Sequence, residues 1–251
     1  MSEAMEAEFG TVAEWTAQVA ADLGPAFYIP AGCRGSGSPA ALDWLIEHLE
    51  LAPEEVFLDS GAGVGGPAAY AEQQRSVRPV LLEPEIGACR AAGTLFGFPV
   101  VQGSAAELPF ADDSFDAAWS LGVMCTMTEQ LPLLTELNRV VRADGRIGLL
   151  AFVARASEPF EQPEGNNFPT ADSLPKLIDR AGLRVEAWRS TADMPAIPAD
   201  WQNRVESVTA ELADRFGETR AWKLAEQQSE RIGRLLADGT VSGEMLILRS
   251  R

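Results

Sequence analysis

The chain has 251 residues, 46% of them hydrophobic and 23% charged, which suits a folded protein with a buried core and argues against a disordered chain. No stretch approaches the roughly 18 consecutive apolar residues of a membrane span, and the acidic start MSEAMEAEFG lacks the basic and apolar segments of an export signal. The net charge of −17 repels nucleic-acid phosphates and anionic lipid surfaces. We therefore expect a cytoplasmic protein that binds neither nucleic acid nor membrane.

The cysteines and the histidine limit metal and redox chemistry. Cys33, Cys89 and Cys125 are far apart, odd in number and not at metal-ligand spacing, which is typical of free thiols in a reducing compartment. His48 is the single histidine, so a histidine-rich site is excluded. We expect no metal site.

The first fifty residues predict a helical cap, residues 1–50. Helices are predicted over 11–22 and 40–50, the second with an apolar stripe at i, i+3, i+4 and i+7. A loop rich in glycine, proline and serine, residues 28–39, joins them.

From Glu55 onward the pattern alternates between strands and helices. Strands are predicted at 55–60, 78–83, 98–103, 115–122, 143–154, 183–190 and 241–250. Helices are predicted at 67–74, 85–95, 129–141 and 172–182. This alternation indicates an α/β fold with a mostly parallel sheet covered on both faces, and a single domain over residues 1–251.

Residues 199–237 interrupt the alternation before the last strand. Both halves of this stretch have helical periodicity, so it is predicted to be a helical insertion that serves as a lid or as an assembly surface. A helical layer without contact to substrate is an equal alternative.

A glycine-rich turn, LDSGAGVGG, follows the first predicted strand. Gly61, Gly63 and Gly66 stand where the strand gives way to a helix, so a ligand can approach the helix N-terminus closely. Glu83 ends the next strand, 22 residues after Gly61, where a carboxylate can accept both hydroxyls of a ribose. An adenosine-bearing ligand follows, either a dinucleotide or S-adenosylmethionine.

Asp59 favours the second ligand. It precedes Gly61 by two residues, and its carboxylate would repel a pyrophosphate but attract an ammonium group. S-adenosylmethionine carries an ammonium and a sulfonium and no phosphate. An Asp59 that merely caps the turn is the alternative.

Four motifs in order carry a family resemblance: LDSGAGVGG, LLEPE, GSAAELPFADDSFDAAWS and ELNRVVRADGRIGLL. The chain resembles class I S-adenosylmethionine-dependent methyltransferases of the small-molecule type over about residues 40–195 and the terminal strand. The resemblance implies a Rossmann-like, doubly wound seven-stranded sheet with an antiparallel last strand, and S-adenosylhomocysteine as product. It places the cofactor at Asp59, Ser60, Gly61, Ala62, Gly63, Glu83, Pro84, Ser104, Ala105 and Leu121.

The chain departs from the family pattern at three places. Ser104 stands where many members have an aspartate that accepts from the adenine amino group, so a weaker hydroxyl contact or the Ala105 backbone would replace it. Residues 143–145 read Ala-Asp-Gly rather than Pro-Gly-Gly, which should alter only a turn. Cys125 lies near the position of a common histidine, which puts a histidine base there in doubt.

The reaction expected is methyl transfer to nitrogen, oxygen or an activated carbon of a small molecule, mainly by positioning. Tyr28 and Cys125 are weak candidates for a base, so we expect an acceptor that is already nucleophilic, such as an amine, an acidic phenol or an enolate. Arg34 is a candidate for binding the methionine carboxylate. Candidate substrate residues are Tyr28, Met124, Met127, Phe168 and Trp201.

Two other functions stay open. A protein of this fold could bind S-adenosylmethionine without transferring methyl, as a cyclase, an isomerase or an inactive partner. An NAD-dependent oxidoreductase is disfavoured by Asp59 and the third motif. A homodimer is possible.

Overall fold

A seven-stranded mixed sheet forms the centre of the molecule, which is a computed structural model that describes residues 3–155 and 160–251. The strand order is β3-β2-β1-β4-β5-β7-β6. The strands are β1 Val56–Ser60, β2 Arg78–Glu83, β3 Val100–Gln102, β4 Phe115–Leu121, β5 Val141–Ala154, β6 Leu183–Ser190 and β7 Val241–Ser250.

The pairing confirms the predicted sheet. The strands β3, β2, β1, β4 and β5 pair in parallel, and β7 runs antiparallel between β5 and β6. Within the register, Asp59 of β1 lies opposite Leu81 of β2 and Trp119 of β4. The carboxyl ends of β1, β2 and β4 therefore meet at one edge of the sheet, where the predicted motifs lie.

The strands are apolar because helices cover both faces of the sheet. On one face Leu58 and Leu82 pack with helices from the carboxyl half of the chain, and on the other Phe57 and Trp119 pack with a helix of the N-terminal cap. Successive side chains of a strand point to opposite faces, so Asp59 points to the face of Phe57 and Ser60 to the face of Leu58.

Ten α-helices lie in the described part of the chain. They are α1 Glu3–Glu6, α2 Ala13–Leu23, α3 Tyr28–Gly32, α4 Pro39–His48, α5 Gly66–Arg75, α6 Ile86–Leu95, α7 Leu131–Val140, α8 Ser173–Arg180, α9 Ala199–Phe216 and α10 Arg220–Ala237. No helix among the described residues is long and apolar enough to cross a membrane.

The N-terminal cap is more helical than its composition predicts. A π-helix, Ala7–Val12, leads into α2, and the short helix α3 occupies the first part of the predicted loop 28–39. The prediction of a loop over the whole stretch was wrong there, because Pro30 lies in the first turn of α3, where a proline needs no backbone N–H. Within the predicted loop, only residues 33–38, between α3 and α4, lie outside a helix.

The insertion forms the two helices α9 and α10, which pack against the cap. Val208 and Trp222 of these helices join one buried apolar cluster with Val12 and Val19 of the cap and Leu95 of α6. The cap and the insertion thus share a core beside the carboxyl edge of the sheet.

Candidate functional site

The turn after β1 folds back onto the next strand. The N–H groups of Gly61 and Ala62 both donate to the Leu82 carbonyl, at 2.8 and 3.0 Å. Gly61 and Gly63 have φ of +81° and +53°, a left-handed backbone that favours glycine. The side chain of Val123, just after β4, lies directly over Gly61, so a methyl group at that position would overlap it.

Glu83 ends β2 and joins the turn to α6. Its two carboxylate oxygens accept backbone N–H groups, from Gly63 at 2.9 Å and from Glu85 at 3.0 Å. Burial raises the pKa of Glu83, and these two N–H groups oppose the rise. The carboxylate is thereby fixed at the carboxyl end of β2, where the sequence predicts the ribose contact.

Asp59 is buried more deeply. Its side chain is 1% exposed, and its Oδ2 atom has no hydrogen-bond partner among the residues that the structure describes. Burial raises the pKa of Asp59 to about 7; the nearby Trp119 indole and the Ala68 amide oppose the rise, and the Glu83 charge adds to it. A cationic group beside Oδ2 would stabilise the charged form.

Buried polar atoms without hydrogen-bond partners indicate whether the residues fit the predicted cofactor. Besides Asp59 Oδ2, the buried Ser60 Oγ and Trp119 Nε1 have no hydrogen-bond partner in the described part of the chain, and the Trp119 indole is near enough to Asp59 to lower the pKa of that carboxyl. A buried polar atom without a partner is unfavourable, so a ligand that supplies one is favoured at this place. An ammonium group beside Asp59 would give Asp59 Oδ2 a partner, although not Ser60 Oγ on the other face of the sheet, and the residues around Asp59 therefore fit S-adenosylmethionine.

The adenosine side of the site is open to solvent. Pro84 and Ser104 are exposed, Ala105 is buried in the core, and the Ser104 hydroxyl accepts from the Ala106 N–H at 3.2 Å. Ile86 lies three residues after Glu83 and is 47% exposed. No other large hydrophobic residue in the described chain is more exposed. The sequence analysis did not single out Ile86, because an exposed apolar residue is visible only in the folded chain.

The cap covers the other side of the site. The Gly35 carbonyl oxygen would lie 3.1 Å from a methyl group on Gly122, the residue after Leu121 at the end of β4. Arg34 precedes Gly35 in this loop and is exposed, while Leu121 is buried. Burial raises the pKa of Glu8 on the π-helix, and the charge of Arg34 partly opposes the rise.

The five candidate substrate residues are not gathered in one place. Met124 and Met127 pack in the core around α7, and Tyr28 packs edge-on to Phe96 with a centroid distance of 6.4 Å. Trp201 packs edge-on to Tyr70 at 5.9 Å and lines a small cavity of about 160 Å³ beside α5. Three of the five lie near Cys125: Met124 precedes it in a short 3₁₀ turn, and Asn167, the residue before Phe168, bonds to the backbones of Cys125 and Met127. Tyr28 and Trp201 pack elsewhere.

Phe168 and Cys125 belong to an apolar group at the carboxyl ends of β4 and β5. We call this group the acceptor-side cluster: Cys125, Phe152, Ala154, Phe160, Phe168, Leu235 and Val241. Its members come from five segments: the turn of Cys125, β5, residues 160–168, α10 of the insertion and β7.

The Cys125 thiol is unsuited to act as a base. It donates to the Gly122 carbonyl at 3.2 Å, and burial raises the pKa of the thiol to about 12. Nearby amides are also engaged: Gln130 donates to the Asn167 carbonyl, and the Asn167 N–H donates to the Cys125 carbonyl, each at 2.6 Å.

A buried glutamine joins the insertion to this region. Gln228 of α10 is 3% exposed, and its amide donates to the Glu164 carbonyl and to Asn166 Oδ1, both at 2.9 Å. Sequence reasoning missed Gln228, since a glutamine in an amphipathic helix reads as a solvent-facing residue.

Comparison with known proteins identifies the family. The family model described as a methyltransferase domain matches residues 58–149, from the end of β1 to β5. An uncharacterized methyltransferase of Mycolicibacterium paratuberculosis is 34% identical over 204 residues, which cover 70% of this chain and 80% of that protein.

Two further proteins define the extent of the likeness. Methyltransferase GfsG of Streptomyces halstedii is 29% identical over 156 residues, and the match spans 55% of this chain and 56% of that relative. The crystal structure of the [4+2]-cyclase SpnF superposes with a TM-score of 0.66 at 20% identity, covering 83% of this chain and 79% of that one, which shows a shared fold. With the acids and the glycine turn in place at the carboxyl edge of the sheet, the chain belongs to the class I S-adenosylmethionine-dependent methyltransferases.

Proposed function

We propose that this protein transfers a methyl group from S-adenosylmethionine to a small molecule that is already nucleophilic. The observation that carries the proposal is the pair of acids at the glycine turn. Glu83 is fixed by two backbone N–H groups, whereas Asp59 keeps one buried oxygen without a partner in the described chain. One acid is set to accept hydroxyl groups and the other to meet a cation.

The chain's own residues would hold the two ends of the cofactor separately. Glu83 would accept hydrogen bonds from the ribose hydroxyls, and Ile86 and the Ser104–Ala105 turn would lie beside the adenine ring. Asp59 would face the ammonium group, and Arg34 of the cap would face the carboxylate. When bound, S-adenosylmethionine supplies a methyl group activated by a sulfonium leaving group.

The acceptor side supports positioning rather than acid–base chemistry. The acceptor-side cluster is apolar, and the Cys125 thiol, with a pKa of about 12, holds its proton at neutral pH. Its apolar side chains would exclude water and hold the acceptor in line with the methyl group. An acceptor that needs no base, such as an amine, an acidic phenol or an enolate, fits these surroundings.

Calorimetric titration tests the cofactor assignment directly. We expect S-adenosylhomocysteine to bind with micromolar affinity, about −8 kcal/mol, and NAD not to bind. Binding of NAD alone would contradict the role of Asp59. Acceptors are then screened by the mass increase of one methyl group.

A protein that binds S-adenosylmethionine without transferring methyl is the second candidate. Two observations favour it: burial keeps the thiol of Cys125, a candidate base, protonated at neutral pH, and the fold resembles that of a [4+2]-cyclase. Formation of S-adenosylhomocysteine in step with a methylated product would exclude this candidate. The proposal also places the protein in the cytoplasm and gives it a small-molecule substrate and no nucleic-acid partner. A homodimer is its proposed assembly.

A further inference from the structure

Trp119 places a buried indole beside Asp59. It lies on β4 opposite Asp59 of β1, and its side chain is 0% exposed. Its Nε1 atom has no hydrogen-bond partner among the described residues. A buried N–H group without a partner is unfavourable, and a phenylalanine ring would fill an apolar core without that penalty. Filling the core therefore does not explain an indole at this position.

Asp59 offers the acceptor that the indole lacks. Both side chains point to the face of the sheet on which Phe57 lies, and the Oδ2 atom of Asp59 is also unpaired within the described chain. The indole is near enough to Asp59 to oppose the rise in the pKa of its carboxyl group. An unpaired donor and an unpaired acceptor thus lie side by side on neighbouring strands.

The neighbours of the indole ring fix its position. Phe57 packs edge-on against the ring at a centroid distance of 4.8 Å. Gly148 of β5 lies opposite Trp119 on the other side, and a methyl group on Gly148 would be only 3.3 Å from the Trp119 Cβ atom. Because the ring is packed between two strands, its N–H group keeps one direction.

The other groups around Asp59 act on its charge in different ways. The Glu83 charge on β2 raises the pKa of Asp59, and the Ala68 N–H group of α5 lowers it. In the cap, burial and, to a smaller extent, the Asp59 charge raise the pKa of the Cys33 thiol, so that the thiol stays protonated at neutral pH. Of these groups, Trp119 is the side chain that favours the charged carboxylate.

On the basis of the proposed function, we propose that Trp119 positions the Asp59 carboxylate for the ammonium group of the cofactor. The indole N–H donates to one carboxylate oxygen and leaves the other for the ammonium group. It also favours the charged carboxylate, which is the form that attracts a cation. Trp119 is a positioning residue, since it acts on the ligand through Asp59.

Two tryptophans of one apolar cluster provide a matched pair of variants. Trp119→Phe removes the N–H group and keeps an aromatic ring in the core. Trp44→Phe is the control, because Trp44 of α4 belongs to the same cluster and stacks on His48 at a centroid distance of 4.2 Å. Calorimetry at pH 6 and at pH 8.5 measures the affinity for S-adenosylhomocysteine, which carries the ammonium group, and for adenosine, which does not.

Trp119→Phe should make the binding of S-adenosylhomocysteine more sensitive to acid. Without the N–H group the pKa of Asp59 rises further, so the carboxylate loses its charge at a higher pH and the ammonium group loses its partner. We expect an affinity about tenfold weaker than that of the wild type at pH 6 and within about twofold of it at pH 8.5. Trp44→Phe should match the wild type at both pH values, and adenosine affinity should be the same in all three proteins.

Two results would overturn the role of Trp119. One is a loss of S-adenosylhomocysteine affinity in Trp119→Phe that is equal at both pH values, which a general disturbance of the core would give; the other is no loss at either pH. A wild-type protein that does not bind S-adenosylhomocysteine would instead refute the proposed function.

The indole resonance of the wild type provides the test if Trp119→Phe does not fold. In heteronuclear NMR spectra, the Trp119 indole N–H signal should shift with a midpoint at about pH 7, because burial raises the pKa of Asp59 to about 7. Saturating S-adenosylhomocysteine should abolish this shift, and Asp59→Asn should lack it. A Trp119 signal that does not change with pH would contradict the proposal.

Discussion

The carboxyl ends of β1 and β2 differ from those of β4 and β5 in how they use polar groups. At the first pair, Asp59 and Ser60 each keep an oxygen without a partner in the described chain, and Glu83 is held by backbone N–H groups. At the second pair, the Cys125 thiol and the amide of Gln130 are bonded to carbonyls, and the acceptor-side cluster is apolar. Trp119 of β4 also has a buried Nε1 atom without a partner in the described chain, but its indole lies beside Asp59 and so belongs with the first edge. Under the proposed function, the first edge would bind the charged part of the cofactor and the second would contact the acceptor through apolar side chains.

The difference explains why the cofactor was easier to predict than the acceptor. A charged ligand needs particular residue types at particular positions, which a sequence displays. An apolar surface can be built from many residues in many orders, so its chemistry leaves little trace in the chain.

The largest effect expected at the cofactor edge is a dependence of stability on pH in the ligand-free protein. Burial raises the pKa of Asp59 to about 7 from an ordinary 3.8, so between these values the folded chain holds a proton that the unfolded chain has lost. The free energy of unfolding should fall by the order of 2 kcal/mol from pH 5 to pH 7, because each pKa unit corresponds to roughly 1.4 kcal/mol. Urea unfolding of the wild type and of Asp59→Asn measures it, and an equal slope in both would contradict this role.

The next effect is the loss of cofactor affinity in Asp59→Asn. The amide cannot balance an ammonium charge, so S-adenosylhomocysteine should bind more than tenfold weaker, which is about 1.4 kcal/mol or more. Asp116→Asn is the control, because Asp116 is a half-buried carboxylate at the opposite end of β4, bonded to Arg142. Unchanged affinity in Asp59→Asn would refute the ammonium contact.

Glu83→Gln should weaken both S-adenosylhomocysteine and adenosine, by about tenfold, since the ribose is common to the two ligands. The matched control is Glu136→Gln, which replaces another carboxylate that accepts a backbone N–H, that of Leu108 at 2.8 Å, on a helix outside the site. If Glu83→Gln bound adenosine as tightly as the wild type does, the proposed contact between Glu83 and the ribose hydroxyls would be wrong. Calorimetry measures each affinity.

The smallest effect is expected on the acceptor edge. Gln228→Ala leaves the Glu164 carbonyl and Asn166 Oδ1 without this donor, so it should cost about 1 kcal/mol of stability and change S-adenosylhomocysteine affinity by less than about twofold. Its neighbour Gln227 is exposed, and Gln227→Ala should cost nothing measurable in thermal unfolding. A tenfold loss of cofactor affinity in Gln228→Ala would show that the two edges are not separate.

The sequence by itself determined the sheet and the cofactor edge. Alternating strand and helix patterns gave all seven strands, and Asp59, the glycine turn and Glu83 are close enough along the chain, each at the end of a strand, for their meeting to be predicted. Parallel strands bring their carboxyl ends to one edge, so these local signals were sufficient. Class I membership was predicted from the resemblance of four motifs along residues 58–150.

Only the tertiary structure decided which distant segments meet at that edge. The dispersal of Met124, Tyr28 and Trp201 into separate clusters, the exposure of Ile86 and the seating of Gly10 on Gly87 depend on how the cap and the insertion pack. Contacts between residues about eighty positions apart arise from packing of whole helices, which apolar periodicity encodes only as a face and never as a partner.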